Sequence, residues 1–535
     1  MATHYTHSDA VAYLVGGGIA SLAAAAFLIR DGKFKGSDIR IFEESSQLGG
    51  SLDAFGNPES GYMMRGGRML ESKYVCTFDL FSSIPTLDGS ESVTQEIFKW
   101  NDTVKTSSRS RLFRDGHPID APHFGLSEKH ILTIERLELE PEDLLGASSI
   151  ADHFDAAFFQ TDFWFMWCTT FAFQPWHSAV EFKRYLVRFT HMVAGFSRLN
   201  GIMRTVFNQY DSMVRPLRKW LEERGVQFLF NARVTDLHFL HSYRARTIER
   251  ISLERDGHSE EIHVRKTDFV IVTLGSMTEG SSFGSNDSAP QLVPPLNNTH
   301  VGGAWTLWEK IAARESDLGN PENFTGHVDE SKWVSFTTTL HQPTFFNLVR
   351  DLTGNAQGEG GLITFPQSNW LASIVLPHQP HFIAQPADVN VFWGYGLSVD
   401  EPGNFVPKPM SQCTGREIMT EILSHLRLGA HSESILQTST SIPCMMPFIT
   451  SQFLRRKKGD RPLVLPGGSE NFAFVGQFCE LPDDVVFTVE YSVRSAQKAV
   501  YLLLGGERTP PPVYKGNHDP RVLLKAFETL HGWNA

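Results

Sequence analysis

Cysteine is scarce. Five stand in 535 residues, at positions 76, 168, 413, 444 and 479. Their number is odd and their spacing scattered, so neither a disulfide framework nor a Cys-rich zinc site fits, and a reducing, cytoplasmic setting is expected. Basic charge is also in deficit. Forty-eight Lys and Arg face 60 Asp and Glu, a net charge of −12, which is the wrong balance for a nucleic-acid partner. Met1 to Asp9 holds no Lys or Arg, so it lacks the positive start of a secretory signal. One uncharged run reaches membrane-spanning length, Ala10 to Ile29, but Gly16-Gly17-Gly18 interrupts it. Glycine is poor in a continuous helix, and a strand, a glycine turn and a helix start account for the run better. His378 and His381 form an H-x-x-H pair, yet Pro377 and Pro380 oppose a regular helix there. With no third ligand at hand, no metal is expected.

Aromatic residues are abundant: 40 Phe, 11 Trp and 11 Tyr. The rest of the composition, 41% hydrophobic and 20% charged, is that of a globular protein. The length leaves room for about three domains. A dense aromatic group runs from Phe158 through Phe163-Trp164-Phe165-Met166-Trp167 to Phe171, Phe173 and Trp176. Two readings stand: a large dry core, or the wall of a channel for a long apolar ligand.

Val11 to Val15 reads as a short buried strand. Gly16-Gly17-Gly18-Ile19-Ala20-Ser21 follows, then the Ala-rich, helix-favouring Leu22 to Arg30. Asp38 to Glu43 reads as a second strand ending in an acid. This is a dinucleotide-binding arrangement. Gly16 permits the tight turn, and Gly18 lets the backbone approach a pyrophosphate at the helix N-terminus. Ser21 stands for the third glycine and is small enough to keep helix and strand close. Glu43 is placed to accept hydrogen bonds from a ribose. Further segments resemble, in order, those of the large FAD-binding oxidoreductase superfamily. They are the Gly49-Gly50 pair with Ser51, the stretch from Gly225 to Val234, the strand from Asp268 to Gly275, and Asn471 to Phe478 followed by a helix over 485–504. The resemblance implies FAD, with the Val234 backbone beside the adenine and Gly275, Gln477 and Phe478 near the flavin.

The expected fold is therefore α/β. It has a Rossmann-like FAD-binding domain, discontinuous over 1–80, 205–290 and 465–505. A mainly helical channel or lid insertion occupies 81–204, an α+β substrate-binding domain 291–464, and a tail 506–535. Within the first insertion Arg184 to Phe189 is expected on a buried helix. Within the second, Phe345 to Val349, Ile374 to Leu376 and Val389 to Trp393 read as strands.

Longer motifs narrow the resemblance. They are Gly49-Gly50-Ser51-Leu52-Asp53, Arg65-Gly66-Gly67-Arg68, Trp176-His177-Ser178-Ala179 and Glu181-Phe182-Lys183-Arg184-Tyr185. Asn208-Gln209-Tyr210-Asp211-Ser212, Gln379-Pro380-His381-Phe382, Phe392-Trp393-Gly394-Tyr395-Gly396 and Gln477-Phe478-Cys479-Glu480 complete the set. Together these stretches, from about 14 to 500, resemble the FAD-containing fatty acid hydratases, or oleate hydratases, formerly called myosin-cross-reactive antigens. The resemblance implies addition of water across the cis-9 double bond of a free long-chain fatty acid. FAD would organise the site or place charge in it without passing a hydride, and its reduced form is expected to be the more active. Tyr185 is implied as proton donor, since a phenol with a pKa near 10 is protonated at neutral pH. A core tyrosine on a buried helix is the plain alternative.

The resemblance breaks at one place. The family's water-activating Glu follows Arg-Gly-Gly-Arg, and here that position is Met69. Flavin and backbone holding the water come first as an explanation, a substitute acid (Glu71 or Asp53) second, and lowered activity third. Arg65 and Arg68, with Gly66 and Gly67, are expected to face the flavin and its phosphates. Gln209 and His381 match the family's carboxylate contacts, while Val375 and Pro377 replace Thr and Asn, so His378 is expected to assist. A monomer or homodimer is expected. Arg521 to Phe527 in the tail is a short amphipathic stretch, read as a peripheral membrane contact or a docked surface helix. Two other functions remain open: a flavoenzyme with true redox turnover, of amine-oxidase or desaturase type, and a non-catalytic fatty-acid-binding flavoprotein.

Overall fold

The computed structural model describes residues 9–119, 124–243, 245–292 and 303–532. Residues 1–8, on which the reading of the leader rests, lie outside them. At the centre is a five-stranded sheet in the order Phe472–Val475, Phe269–Thr273, Ala12–Val15, Ile39–Phe42, Gln227–Leu229. Every pairing in it is parallel. Ala12–Val15 lies in the middle and is buried throughout. A parallel sheet covered on both faces demands such unbroken apolar strands, and this one reads Ala-Tyr-Leu-Val. The helix Ile19–Arg30 packs against the late helix Val489–Leu503. Its alanines, Ala20 and Ala23 to Ala26, are all buried and allow close approach. The Ser21 hydroxyl lies 3.2 Å from the Thr273 hydroxyl on an adjoining strand. That is the close helix–strand contact expected of a small residue there.

A three-stranded antiparallel sheet, Ala232–His241, Arg246–Arg255 and His258–His263, adjoins this unit. The remaining large sheet has eight strands. Its order is Ser282–Phe283, Ser439–Met446, Trp333–Leu340, Asn390–Gly396, Ala372–Val375, Ile363–Thr364, Leu112–Arg114, His117–Ile119. Three features differ from the sequence-based picture. The insertion expected to be mainly helical supplies the hairpin of 112–119 to this sheet. Ser282–Phe283, grouped with the nucleotide fold by sequence, pairs with Cys444 and Met445. Phe345 to Val349 is not a strand but part of the helix Thr344–Thr353. Its buried positions, Phe345, Phe346, Val349 and Thr353, fall on one helical face, a stripe that a short Phe-Phe-x-Leu-Val run disguises.

The strand Trp333–Leu340 is buried along its whole length although it reads Trp-Val-Ser-Phe-Thr-Thr-Thr-Leu. Its threonines hold the short strand Gly61–Met64. Thr339 Oγ1 accepts from the Tyr62 N–H at 2.8 Å. Thr337 Oγ1 accepts from the Met64 N–H and donates to the Met64 carbonyl, both at 3.1 Å. The loop that begins at Arg65 is thus launched from a fixed point. Thr337→Val keeps the shape and removes the hydroxyl, leaving two buried backbone groups unpaired. Urea unfolding is expected to show a loss of about 1–3 kcal/mol, and an unchanged midpoint would refute this anchoring role.

Candidate active site

The turn after Ala12–Val15 opens onto a cleft of about 430 Å³. Gly16, Gly18, Glu43, Gly50, Ser51 and Arg65 line it from the N-terminal segment. Val234, Gly275, Gln477 and Phe478 line it from the later pieces. Gly16 has φ +94°, a conformation that favours glycine. A Cβ on Gly18 would meet nothing within 4 Å, so its bare face is turned to open space. The helix Ile19–Arg30 begins there with no side-chain cap and no acid in its first turn. Its free N–H groups and positive end favour an anion. Glu43 accepts from the Gly17 N–H at 2.7 Å and from the Ser45 N–H at 2.8 Å, which fixes its carboxylate at the cleft edge. These residues fit the pyrophosphate and ribose of a dinucleotide. Gln477 is held in place by donating to the Thr488 carbonyl and the Ser492 hydroxyl. Arg65 pairs with Asp53 at 2.7 Å.

Behind the loop of residues 65–69 lie three smaller cavities in series. The central chamber, about 80 Å³, is lined by Gly66, Gly67, Arg68, Met69, Glu71 and Tyr185 among others. On one side it shares Phe171, Phe189, Met192 and Ile202 with an aromatic space whose further walls include Phe163, Trp167 and Phe196. On the other it shares Gly67 and Trp393 with a polar space lined by Arg204, Gln209, His378 and His381. Each flanking space measures about 20 Å³, far below the roughly 300–1,000 Å³ of ordinary ligand pockets. Side chains must therefore move to admit a long ligand. Met192, an adaptable thioether on both the chamber and the aromatic space, is suited to that.

Tyr185 sits on the helix Ala179–Phe189 with its ring centroid 5.0 Å from those of Phe171 and Phe173. Its hydroxyl donates to the Val486 carbonyl. Burial, with Tyr74, Glu181 and Asp484 nearby, holds its pKa well above the ordinary phenol value, and Arg68 pulls the other way. The group is a neutral phenol. Burial brings the Arg68 guanidinium down to about 10, so it remains a cation at neutral pH. It lies 4.9 Å from the Phe487 ring centroid.

Met69 lines the chamber and offers no base. Of the two candidate substitutes, only Glu71 lines it too; Asp53 faces the cleft instead. Glu71 is already engaged. Its carboxylate lies 3.0 Å from Arg188 and 3.5 Å from His191, and it accepts from the Lys73 N–H at 2.7 Å. Burial raises its pKa most, but these partners outweigh it and hold it below the usual carboxylate value.

At the polar end the structure modifies one expectation. Gln209 is a clamp on the loop. Its Oε1 accepts from the Arg68 N–H at 3.2 Å and its Nε2 donates to the Arg68 carbonyl at 2.8 Å. One amide hydrogen remains for a ligand. His381 is 8% exposed, and burial first, then Arg204 and His378, lower its pKa to about 3. It is a neutral imidazole. His378 stands edge-on to Trp100 at 4.8 Å. Arg204 was not singled out from the sequence; no local pattern marks it, and only the fold brings it here. The described residues contain no group of His, Cys, Asp and Glu able to hold a metal.

A family model described as the MCRA family matches residues 9–501. The chain belongs to the MCRA family. It is 38% identical over 532 residues to the oleate hydratase of Streptococcus pyogenes serotype M49 (strain NZ131), covering 97% of this chain and 89% of that protein. It is 33% identical over 565 residues to the linoleate hydratase of Lactiplantibacillus plantarum, covering 97% and 98%. Among solved structures, cyclohexylamine oxidase from Brevibacterium oxydans IH-35A aligns with a TM-score of 0.52 at 12% identity, over 93% of this chain and 99% of that one. A putrescine oxidase variant aligns with a TM-score of 0.52 at 12% identity, over 92% and 98%. These two likenesses establish the fold that this MCRA member shares with them, and nothing further.

Two predictions follow from the anchoring of the MCRA site. Gln209→Leu strips both hydrogen bonds from the buried Arg68 backbone. It is expected to lower stability by about 1–3 kcal/mol in urea and to loosen the loop. A variant with unchanged stability would make Gln209 a ligand contact alone. Glu181, which bridges Arg456 and Arg461 at 2.9 Å each, concerns pH. Burial opposes its charge, but Arg461, Arg456 and Arg184 lower its pKa from 4.5 to about 2. A depressed carboxylate stabilises the fold above its unfolded pKa and loses that contribution as pH falls through the folded one. Glu181→Gln should therefore lie about 3–5 kcal/mol below wild type at neutral pH. The gap should narrow between about pH 4.5 and 2, and a gap independent of pH would contradict the assignment.

Proposed function

We propose that this protein hydrates the cis-9 double bond of free unsaturated fatty acids, converting oleate to 10-hydroxystearate, with FAD held in the cleft. The series of spaces carries the reading: a polar end, a chamber with a neutral phenol, and an aromatic end. That order matches the head, the double bond and the tail of such a substrate. The names of the two curated relatives support the same reaction class.

An alkene is a poor base, so protonation and water attack must be concerted and the reactants pre-aligned. In the proposed step the Tyr185 hydroxyl turns from the Val486 carbonyl and gives its proton to C9. The alkene π pair forms the new C–H bond. Water adds to C10, and the proton it loses restores the phenol. The raised pKa of Tyr185 makes it a reluctant donor, and Arg68 favours the transient phenolate. Bound FAD would supply a polar wall and charge beside the chamber; Gly16, Gly18, Glu43 and Gln477 would hold it. Water is best held by the backbone of residues 66–69 next to that wall, since Met69 cannot polarise it. Glu71 ranks second because its charge is committed to Arg188 and His191. Gln209, His381 and His378 are proposed to receive the substrate carboxylate. The reduced flavin is proposed as the more active form. No described helix is long and apolar enough to cross a membrane. The tail helix Pro520–Leu530 exposes Leu523 and Leu524, and peripheral membrane contact is proposed there.

An amine-oxidase type of redox turnover has only the shared fold behind it. Incubating the holoprotein with oleate anaerobically in doubly labelled water (¹⁸O and ²H) tests the proposal. A hydroxy acid carrying solvent oxygen at C10 and solvent deuterium at C9 is expected, and Tyr185→Phe should slow its formation by roughly 10²–10⁴-fold. Flavin reduction by substrate without water addition would instead establish redox turnover. Unchanged oleate despite binding would leave a non-catalytic carrier.

A further inference from the structure

The polar space at the head end contains a cation for which the protein supplies no anion. Nε and Nη2 of Arg204 are shielded from solvent and have no hydrogen-bond partner. Burial alone draws its pKa down, to about 10, with no carboxylate opposing the shift. Several other arginines with enclosed guanidinium groups are provided for. Arg188 and Arg456 have acids within ion-pair distance. Arg111 has no carboxylate either, yet it donates to the carbonyls of Phe196 and Met166 and to the Thr170 hydroxyl. Arg204 has neither arrangement. An enclosed charge without a counter-ion costs stability, and that cost is sensible where a ligand brings the anion.

The position is built rather than incidental. The side-chain amide of Asn101 grips the Arg204 backbone on both sides. Its Oδ1 accepts from the Arg204 N–H at 2.9 Å, and its Nδ2 donates to the Arg204 carbonyl at 2.7 Å. Gly361 leaves the space the guanidinium needs; a Cβ there would come within 3.3 Å of Nη2. A second unpaired polar atom faces the same space. His381 is more than nine-tenths buried, and its Nε2 is enclosed without a partner. Trp100 and Trp393 supply apolar walls. Gly67 and Trp393 line both this space and the chamber of Tyr185.

We propose that Arg204 is the counter-ion of the substrate carboxylate, with the His381 Nε2–H as a second donor, so that the site selects free acids over their esters and alcohols. The proposal rests on the fatty-acid reading above and adds the residue that decides which end of the chain enters first and which head group is accepted. Arginine suits the task because its planar fork matches a carboxylate.

The test uses the holoprotein and the variants Arg204→Met and Arg204→Lys. Stearate, which has no double bond, and stearyl alcohol serve as binding probes; oleate and methyl oleate serve as substrates. Wild type should bind stearate in preference to the alcohol. Arg204→Met should weaken stearate binding and raise KM for oleate by roughly 10- to 100-fold, with kcat little changed and methyl oleate unaffected. Arg204→Lys should recover part of the loss. Without fatty acid, Arg204→Met should melt at a higher temperature than wild type, because a costly charge has gone. A structural arginine would do the opposite. Unchanged acid affinity, an equal loss for acid and ester, or a methionine variant that is destabilised or unfolded would each overturn the proposal. Stearate binding is read without turnover, so the assignment survives or falls even if oleate is not hydrated.

Discussion

A short loop, Arg65 to Met69, runs from the cleft that fits a dinucleotide, which Arg65 lines, to the chamber that holds Tyr185, which Gly66 to Met69 line. Both compartments depend on where that backbone lies. On one side Thr337 fixes Met64, just before it. On the other, the Gln209 side chain bonds the Arg68 N–H and carbonyl. Trp393 presses against it so closely that a Cβ on Gly67 would stand 3.0 Å from the indole. The loop is slim because Gly66 and Gly67 have no side chains, and it is held because Gln209 takes both backbone groups of Arg68 while Thr337 fixes Met64 just before it.

The helix that carries Tyr185 is tied down by charge. Glu181 meets Arg456 and Arg461, Arg184 meets Glu142 and Glu480, and Arg188 meets Glu71 and Asp484. Buried pairs of this kind add little net stability, but removing one member is expensive. Their value here is positional. They join a helix of the first insertion to the segment 477–487, which closes the cleft, and so fix the phenol relative to both. Glu71 belongs to this bracing. Its charge is committed to Arg188 and His191 although it lies on the chamber wall.

What was legible in the sequence was local. The glycine turn, the helix after it and the acid ending the second strand each follow from neighbouring residues, and the structure places them as expected. The helix bearing Tyr185 was legible, and legible as buried, from the run Arg184 to Phe189. What was hidden depends on distant partners. Ser282–Phe283 and the hairpin of 112–119 join the large sheet through pairings that no short window contains. Phe345 to Val349 looked extended because its apolar run is short, and only the buried Thr353 completes the helical stripe. The bond of Gln209 to the Arg68 backbone was hidden because the two residues stand 141 positions apart. Arg204 was invisible because its distinguishing property is what its neighbours fail to provide. The aromatic excess did not resolve into one use: Phe171 and Phe189 wall the chamber, while Phe158 and Phe154 stack at 3.8 Å inside the core.

The account turns on the order of the three spaces, and a crystal structure of the holoprotein with oleate bound tests that order most directly. It should show the carboxylate between Arg204 and His381, the C9–C10 bond beside the Tyr185 hydroxyl, and the methyl end among Phe163, Trp167 and Phe196. A carboxylate at the aromatic end, or a chain lying outside these spaces, would contradict it.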